Sequence, residues 1–100
     1  MDSDLKASGS VAVSYFGTLR KVSGVGRETV PLNGANRISD VVRRLAELHG
    51  EPLKSALLDA NGLIREYLLI SVGDEEIDKT GSTQVAGGDE ISIFSPISGG

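Results

Sequence analysis

The chain predicts an α+β fold, a mixed β-sheet with one main helix packed on one face. Three observations predict it. Strand-like runs stand near both ends, VAVSYF at 11–16 and EISIFS at 90–95. A helical apolar pattern starts at Ile38, well inside the chain. An apolar run, YLLISV, follows that helix. Strands flanking a single long helix favour α+β, with the helix on one side of the sheet.

In VAVSYF, Val11, Val13 and Tyr15 share one face, and Ala12, Ser14 and Phe16 share the other. Period-two alternation of this kind marks a strand, and Gly17 ends it. GTLRKVSGVG reads as a turn or loop, with Gly24 and Gly26 as turn glycines. A phosphate-binding fingerprint needs a strand before and a helix after, which this stretch lacks. RETVPL, at 27–32, reads as a second strand, and Pro31 places its end or a sheet edge there. The short link predicts a hairpin.

Ile38, Val41, Val42, Leu45 and Leu48 fall on one face of an amphipathic helix. Asp40, Arg43, Arg44 and Glu47 fall on the other, with Arg43 and Glu47 four residues apart. Gly50 and then Pro52 stop the helix. His49, in the last turn, is placed to interact with the helix dipole. Leu53, Leu57 and Leu58 predict a short second helical turn over the core.

YLLISV, at 67–72, predicts a strand buried on both faces, because its apolar run is nearly unbroken. Residues 75–77 predict a short return strand, and 80–82 a loop. Val85 is an isolated apolar anchor. AGGDE is a turn signal, and EISIFS sets Ile91 and Ile93 against Ser92 and Phe94. Pro96 cannot donate a ladder hydrogen bond, so strand pairing ends there. The first and last strands can lie side by side, with the chain end projecting from the sheet. The expected organisation is a flexible leader at 1–10, a domain at 11–95 and a flexible functional tail at 96–100.

Composition excludes several functions. The chain has no cysteine, hence no disulfide, no thiolate nucleophile and no cysteine metal site. Its single histidine rules out a His-rich metal site, and no metal or bound cofactor is expected. A net charge of −4 argues against nucleic-acid binding and suits docking on a basic protein surface. Asp74, Glu75, Glu76 and Asp78 are the acidic set that could meet such a surface. No segment has membrane-spanning length and MDSDLKASGS has no signal-peptide core, so a cytoplasmic protein is expected. Phe16 and Phe94, near strand ends, are candidates for an apolar docking patch. Packing under the helix is the alternative. Phe94 favours the patch, being out of phase with Ile91 and Ile93.

The chain closes on SPISGG. Glycine is costly to order, and a chain end is easily left disordered. A terminal Gly99–Gly100 pair is therefore either slack or the working part. A carboxylate is a poor acyl donor until ATP converts it to an acyl-adenylate. Residues without a Cβ let the backbone enter the narrow cleft such activation needs. Pro96 stiffens the start of the tail, which lowers the ordering cost of docking, and Ile97 could anchor it in an apolar pocket. Because the sequence already ends at Gly100, no processing step is expected.

Four stretches in this order carry a resemblance: FGTLRKVSG at 16–24, RISDVVRRL at 37–45, AGGDEISIF at 86–94 and the SPISGG tail. Over roughly residues 10–100 the chain resembles the ubiquitin-like β-grasp sulfur carriers, above all the molybdopterin synthase small subunit and its archaeal ubiquitin-like modifier relatives. Two features depart from that pattern: the extra polar leader, and Ser95 where relatives often have a proline. The thiamin-pathway carriers are also similar but are typically shorter over the region of residues 50–66.

The resemblance implies a β-grasp fold and a non-catalytic carrier acting as co-substrate in a sulfurtransferase complex. Gly100, with Gly99, would be adenylated by a ubiquitin-activating-like adenylyltransferase using ATP. A thiocarboxylate on Gly100 would then deliver sulfur to molybdopterin, with the tail inserted in the large subunit of molybdopterin synthase. Phe16, Phe94, Pro96, Ile97 and Ser98 would contact partners. Two rivals stay open. One is a modifier joined through Gly100 to target-protein lysines, or a carrier for another acceptor such as a tRNA base or thiamin. The other is a plain interaction domain with an idle tail.

Overall fold

A computed structural model describes residues 9–77 and 82–96. The elements run β1 (Ser10–Gly17), α1 (Thr18–Ser23), β2 (Arg27–Pro31), α2 (Ile38–His49), α3 (Leu53–Leu57), β3 (Leu69–Val72), β4 (Glu75–Glu76) and β5 (Glu90–Ser95). One five-stranded sheet has the order β2-β1-β5-β3-β4. β1 and β5 pair in parallel at its centre, and the other neighbours are antiparallel. The fold is the expected α+β arrangement, with first and last strands adjacent.

The core is a single cluster between the sheet and α2. Val11, Val13 and Tyr15 of β1, Val30 of β2, Ile70 of β3, and Ile91 and Ile93 of β5 are buried with Ile38, Val41, Val42, Leu45 and Ala46 of α2. Leu53, Leu57 and Leu58 close one end, as their spacing predicts. Val85 is buried beside the helix start. There, the Ile38 N–H donates to the Thr83 carbonyl at 2.9 Å, and the Val85 N–H donates to the Asn36 carbonyl at 3.0 Å. These bonds tie down a helix whose first turn has no side-chain cap.

Five expectations change. The stretch after Gly17 is not all loop: Thr18–Ser23 is a helix that buries Leu19. Six residues are too few to show a helical period, which hides it from pattern reading. β3 is shorter than the apolar run, and its outer face is open, with Leu69 39% exposed. Tertiary placement decides this, since no described element packs on that side. Leu48 is 59% exposed, because it lies at the margin of the apolar stripe in the last turn of α2.

His49 does more than face the helix dipole. Its Nε2 lies 2.7 Å from Glu28 Oε2, and the Tyr15 hydroxyl donates to the same oxygen at 2.6 Å. Finally, the domain begins before residue 11. Ser10 pairs with Pro31, and the Gly9 carbonyl accepts the Leu32 N–H. The remainder of the expected leader and Asp78 lie outside the described residues, as does most of the 80–82 loop.

The Tyr15–Glu28–His49 cluster explains how an edge strand carries an inward-pointing charge. Glu28 faces inward on β2, and an unpaired carboxylate there would be costly. The Tyr15 hydroxyl donates to it, His49 Nε2 lies within hydrogen-bond distance of it, and the Tyr15 and His49 rings meet edge to face at 6.2 Å. Burial, and then the Glu28 hydrogen bond and charge, push the Tyr15 phenol well above its ordinary value.

Candidate functional site

The two faces of the sheet follow from strand alternation. Residues 11, 13 and 15 of β1 and 91 and 93 of β5 point to α2, so Phe16 and Phe94 must point away. Register then brings them together. Phe16 pairs with Phe94 across β1 and β5, and Phe94 pairs with Leu69 across β5 and β3. The result is one apolar row across three strands. Phe16 is 45% exposed, and Phe94 and Leu69 are each 39% exposed. Leu69 was missed in the sequence because its run reads as buried on both sides. Only the β3–β5 register reveals its place.

Two residues further back along the strands, roughly 7 Å away by strand geometry, lies a polar row. Ser14, Ser92 and Ser71 stand in register across β1, β5 and β3. Arg27 extends that row at the β2 edge and Glu76 at the β4 edge. Arg27 also approaches Glu90 of β5 at 3.7 Å, both well exposed, so this pair contributes little. Small serines keep the centre of this face flat. A partner can therefore approach the sheet closely, with the Phe16–Phe94–Leu69 row standing proud. A depression of about 230 Å³ borders the row, lined by Leu69, Phe94, Ser71 and Ser92 and by Asp74 and Glu76 on its acidic side. Another depression, of about 610 Å³, lies around α3 and the 59–62 loop and includes no residue of the open face.

The apolar row is the last row before the chain end. Ser95 turns inward and is 5% exposed, while Pro96 is exposed. Ile97, Ser98, Gly99 and Gly100 lie outside the described residues. The structure thus brings Phe16, Phe94 and Pro96 to one corner of the molecule, with Leu69 beside them. Among the described residues no group of three or more His, Cys, Asp or Glu side chains is placed to hold a metal ion. No helix among them is long and apolar enough to cross a membrane.

A five-stranded mixed sheet grasping one main helix, with parallel first and last strands, defines a ubiquitin-like β-grasp protein, and the comparisons put it among the sulfur carriers and modifiers. Residues 13–100 match the model of the ThiS family, and the chain belongs to that family. It is similar to SAMP1 of Haloferax volcanii, at 27% identity and a TM-score of 0.77, covering 92% of this chain and 100% of that one. A Pyrococcus furiosus protein assigned as molybdopterin converting factor subunit 1 aligns at 21% identity and a TM-score of 0.69, covering 90% and 100%. Urm1 of Trypanosoma brucei aligns at 17% and 0.69, covering 93% and 97%. The last two likenesses show the fold alone. No curated protein gives a significant sequence match.

Proposed function

We propose that this protein is a sulfur carrier whose reactive group is the Gly100 carboxylate and whose docking surface is the open face of the sheet. The observation that carries the reading is the position of the Phe16–Phe94–Leu69 row, immediately before the tail root. A partner seated on that row receives the tail in its own cleft. Exposed apolar residues clustered on one face favour association, and the acidic flank at Asp74 and Glu76 favours a basic partner surface. Pro96, Ile97 and Ser98 then lead the glycines inward.

The chemistry proceeds at the chain end. The Gly100 carboxylate attacks the α-phosphate of ATP on an adenylyltransferase of the ubiquitin-activating type, and pyrophosphate leaves. Hydrosulfide then attacks the acyl carbon, the C–O bond to AMP breaks, AMP leaves and the S–H proton is lost, giving the thiocarboxylate. The carrier next docks with an acceptor enzyme, and the AGGDEISIF stretch and SPISGG tail, which resemble those of molybdopterin synthase small subunits, support molybdopterin synthase as that enzyme. The carrier is a co-substrate throughout and binds no cofactor of its own. It works in the cytoplasm, where ATP and the partner enzymes meet it.

Intact mass with fragmentation, on protein isolated from its own cells, tests the reading. Exchange of one oxygen for sulfur at Gly100 is expected. Failure of the cognate adenylyltransferase to form an acyl-adenylate on this chain contradicts it. A second reading has its own support: the similarity to SAMP1, whose full name is small archaeal modifier protein 1. The same adenylate passed to a lysine amine gives an isopeptide. Lysine peptides carrying the Gly99–Gly100 remnant would establish that use.

A further inference from the structure

We infer that Gly17 is a positioning residue for the chain end, holding the Phe94 ring and the Ser95–Pro96 peptide in the arrangement from which the tail departs. The inference rests on the carrier reading above and concerns a residue 79 positions before Pro96, where that tail starts.

Gly17 is the last residue of β1 and pairs in register with Ser95, the last residue of β5. A Cβ at Gly17 would stand 2.5 Å from the Ser95 carbonyl oxygen, and 3.2 and 3.4 Å from Cε1 and Cδ1 of the Phe94 ring. The first contact is with backbone, which cannot swing aside as a side-chain end can. Ser95 is bonded into the ladder, its side chain is buried, and its carbonyl belongs to the peptide that enters Pro96. Any side chain at 17 must therefore shift the tail root, the Phe94 ring or both. Pro96 fixes its own φ, so a change at the Ser95–Pro96 peptide redirects the chain where it leaves the sheet. Misplacement of a reacting group by about 1 Å can lower a rate about 100-fold.

The backbone at Gly17 has φ 71° and ψ −144°, a region that only glycine enters easily. A substitution thus combines backbone strain with the steric clash. Gly50 separates the two effects. It has φ 67° and ψ −155°, and a Cβ there meets nothing within 4 Å. Gly50→Ala carries the same strain without the clash.

The test compares Gly17→Ala, Gly50→Ala and wild type in adenylation by the cognate activating enzyme, read by ATP–pyrophosphate exchange, and in thermal unfolding. Both variants should lose melting temperature through backbone strain, and Gly17→Ala should lose more because it adds the clash. For Gly17→Ala alone, kcat should fall by about tenfold or more. The loss should lie more in kcat than in KM, because Phe16 and Leu69 still dock. Equal kcat for the two folded variants overturns the inference while leaving the carrier reading intact. A wild type that supports no exchange overturns the carrier reading and the inference with it. Should Gly17→Ala not fold, the wild type decides. Nuclear Overhauser contacts from the Gly17 Hα protons to the Phe94 ring support the arrangement, and their absence overturns it.

Discussion

The inner and outer faces of the sheet use the same five strands for opposite ends. On the inner face the positions under α2 are filled mainly by branched or aromatic side chains, including Val11, Val13, Ile91 and Ile93, with Glu28 and Ser95 the polar exceptions at the margins. On the outer face the central positions are serines, and the large apolar side chains are gathered into a single row at the Pro96 end of β5. A strand face that only needed to meet water would have no reason to cluster two phenylalanines and a leucine in register. The difference separates residues that hold the fold from residues available to a partner. It also makes the two sets separable by mutation.

The largest stability effect is expected on the inner face. Leu45→Ala should lower unfolding free energy by about 2–5 kcal/mol, the range for a buried leucine truncation. Urea titration measures it, and a loss under about 1 kcal/mol would break the proposed division of labour. Phe94→Ala and Leu69→Ala should each cost only about 1 kcal/mol, the scale of a cross-strand pair. They should nevertheless weaken docking to the activating enzyme by about tenfold or more, as central apolar anchors do. Calorimetric binding on the folded variants checks this, and unchanged affinity would remove the outer face from the account.

Smaller effects sharpen the boundary between the faces at β2. Glu28→Gln leaves Tyr15 a weaker acceptor and His49 an uncharged partner, and should cost about 1–2 kcal/mol without changing docking. Tyr15→Phe should cost about 1 kcal/mol at neutral pH for the same reason. It should also change the alkaline behaviour. The folded protein holds the Tyr15 proton above the ordinary value of 10, while the unfolded chain releases it there. Wild-type stability therefore falls as pH rises above that value, and the Tyr15 contribution is fully present below it. Denaturation series across that range should show a steeper decline for wild type than for Tyr15→Phe. Parallel curves would contradict the burial and pairing of Tyr15.

Much of this arrangement is legible in the sequence where the period is long or the alternation clean. The helix at Ile38–His49 and the strand at Glu90–Ser95 are examples. The out-of-phase Phe94 already points to the open face. What pattern reading misses is short or non-local. α1 is little more than one turn. The exposure of Leu69 depends on nothing covering β3 from outside, a property no local run encodes. The Glu28–His49 contact joins residues 21 positions apart, and only the pairing of β1 with β2 places Glu28 over the helix end. The crossing of Gly17 with Ser95 is likewise visible only once β1 and β5 are aligned in parallel.

The most direct measurement is ATP–pyrophosphate exchange by the cognate activating enzyme, with the full chain and with a chain lacking Gly99 and Gly100. Exchange is expected with the full chain, and none with the shortened one although it folds and still docks through Phe16, Phe94 and Leu69. Equal exchange with both chains, or none with either, would contradict it.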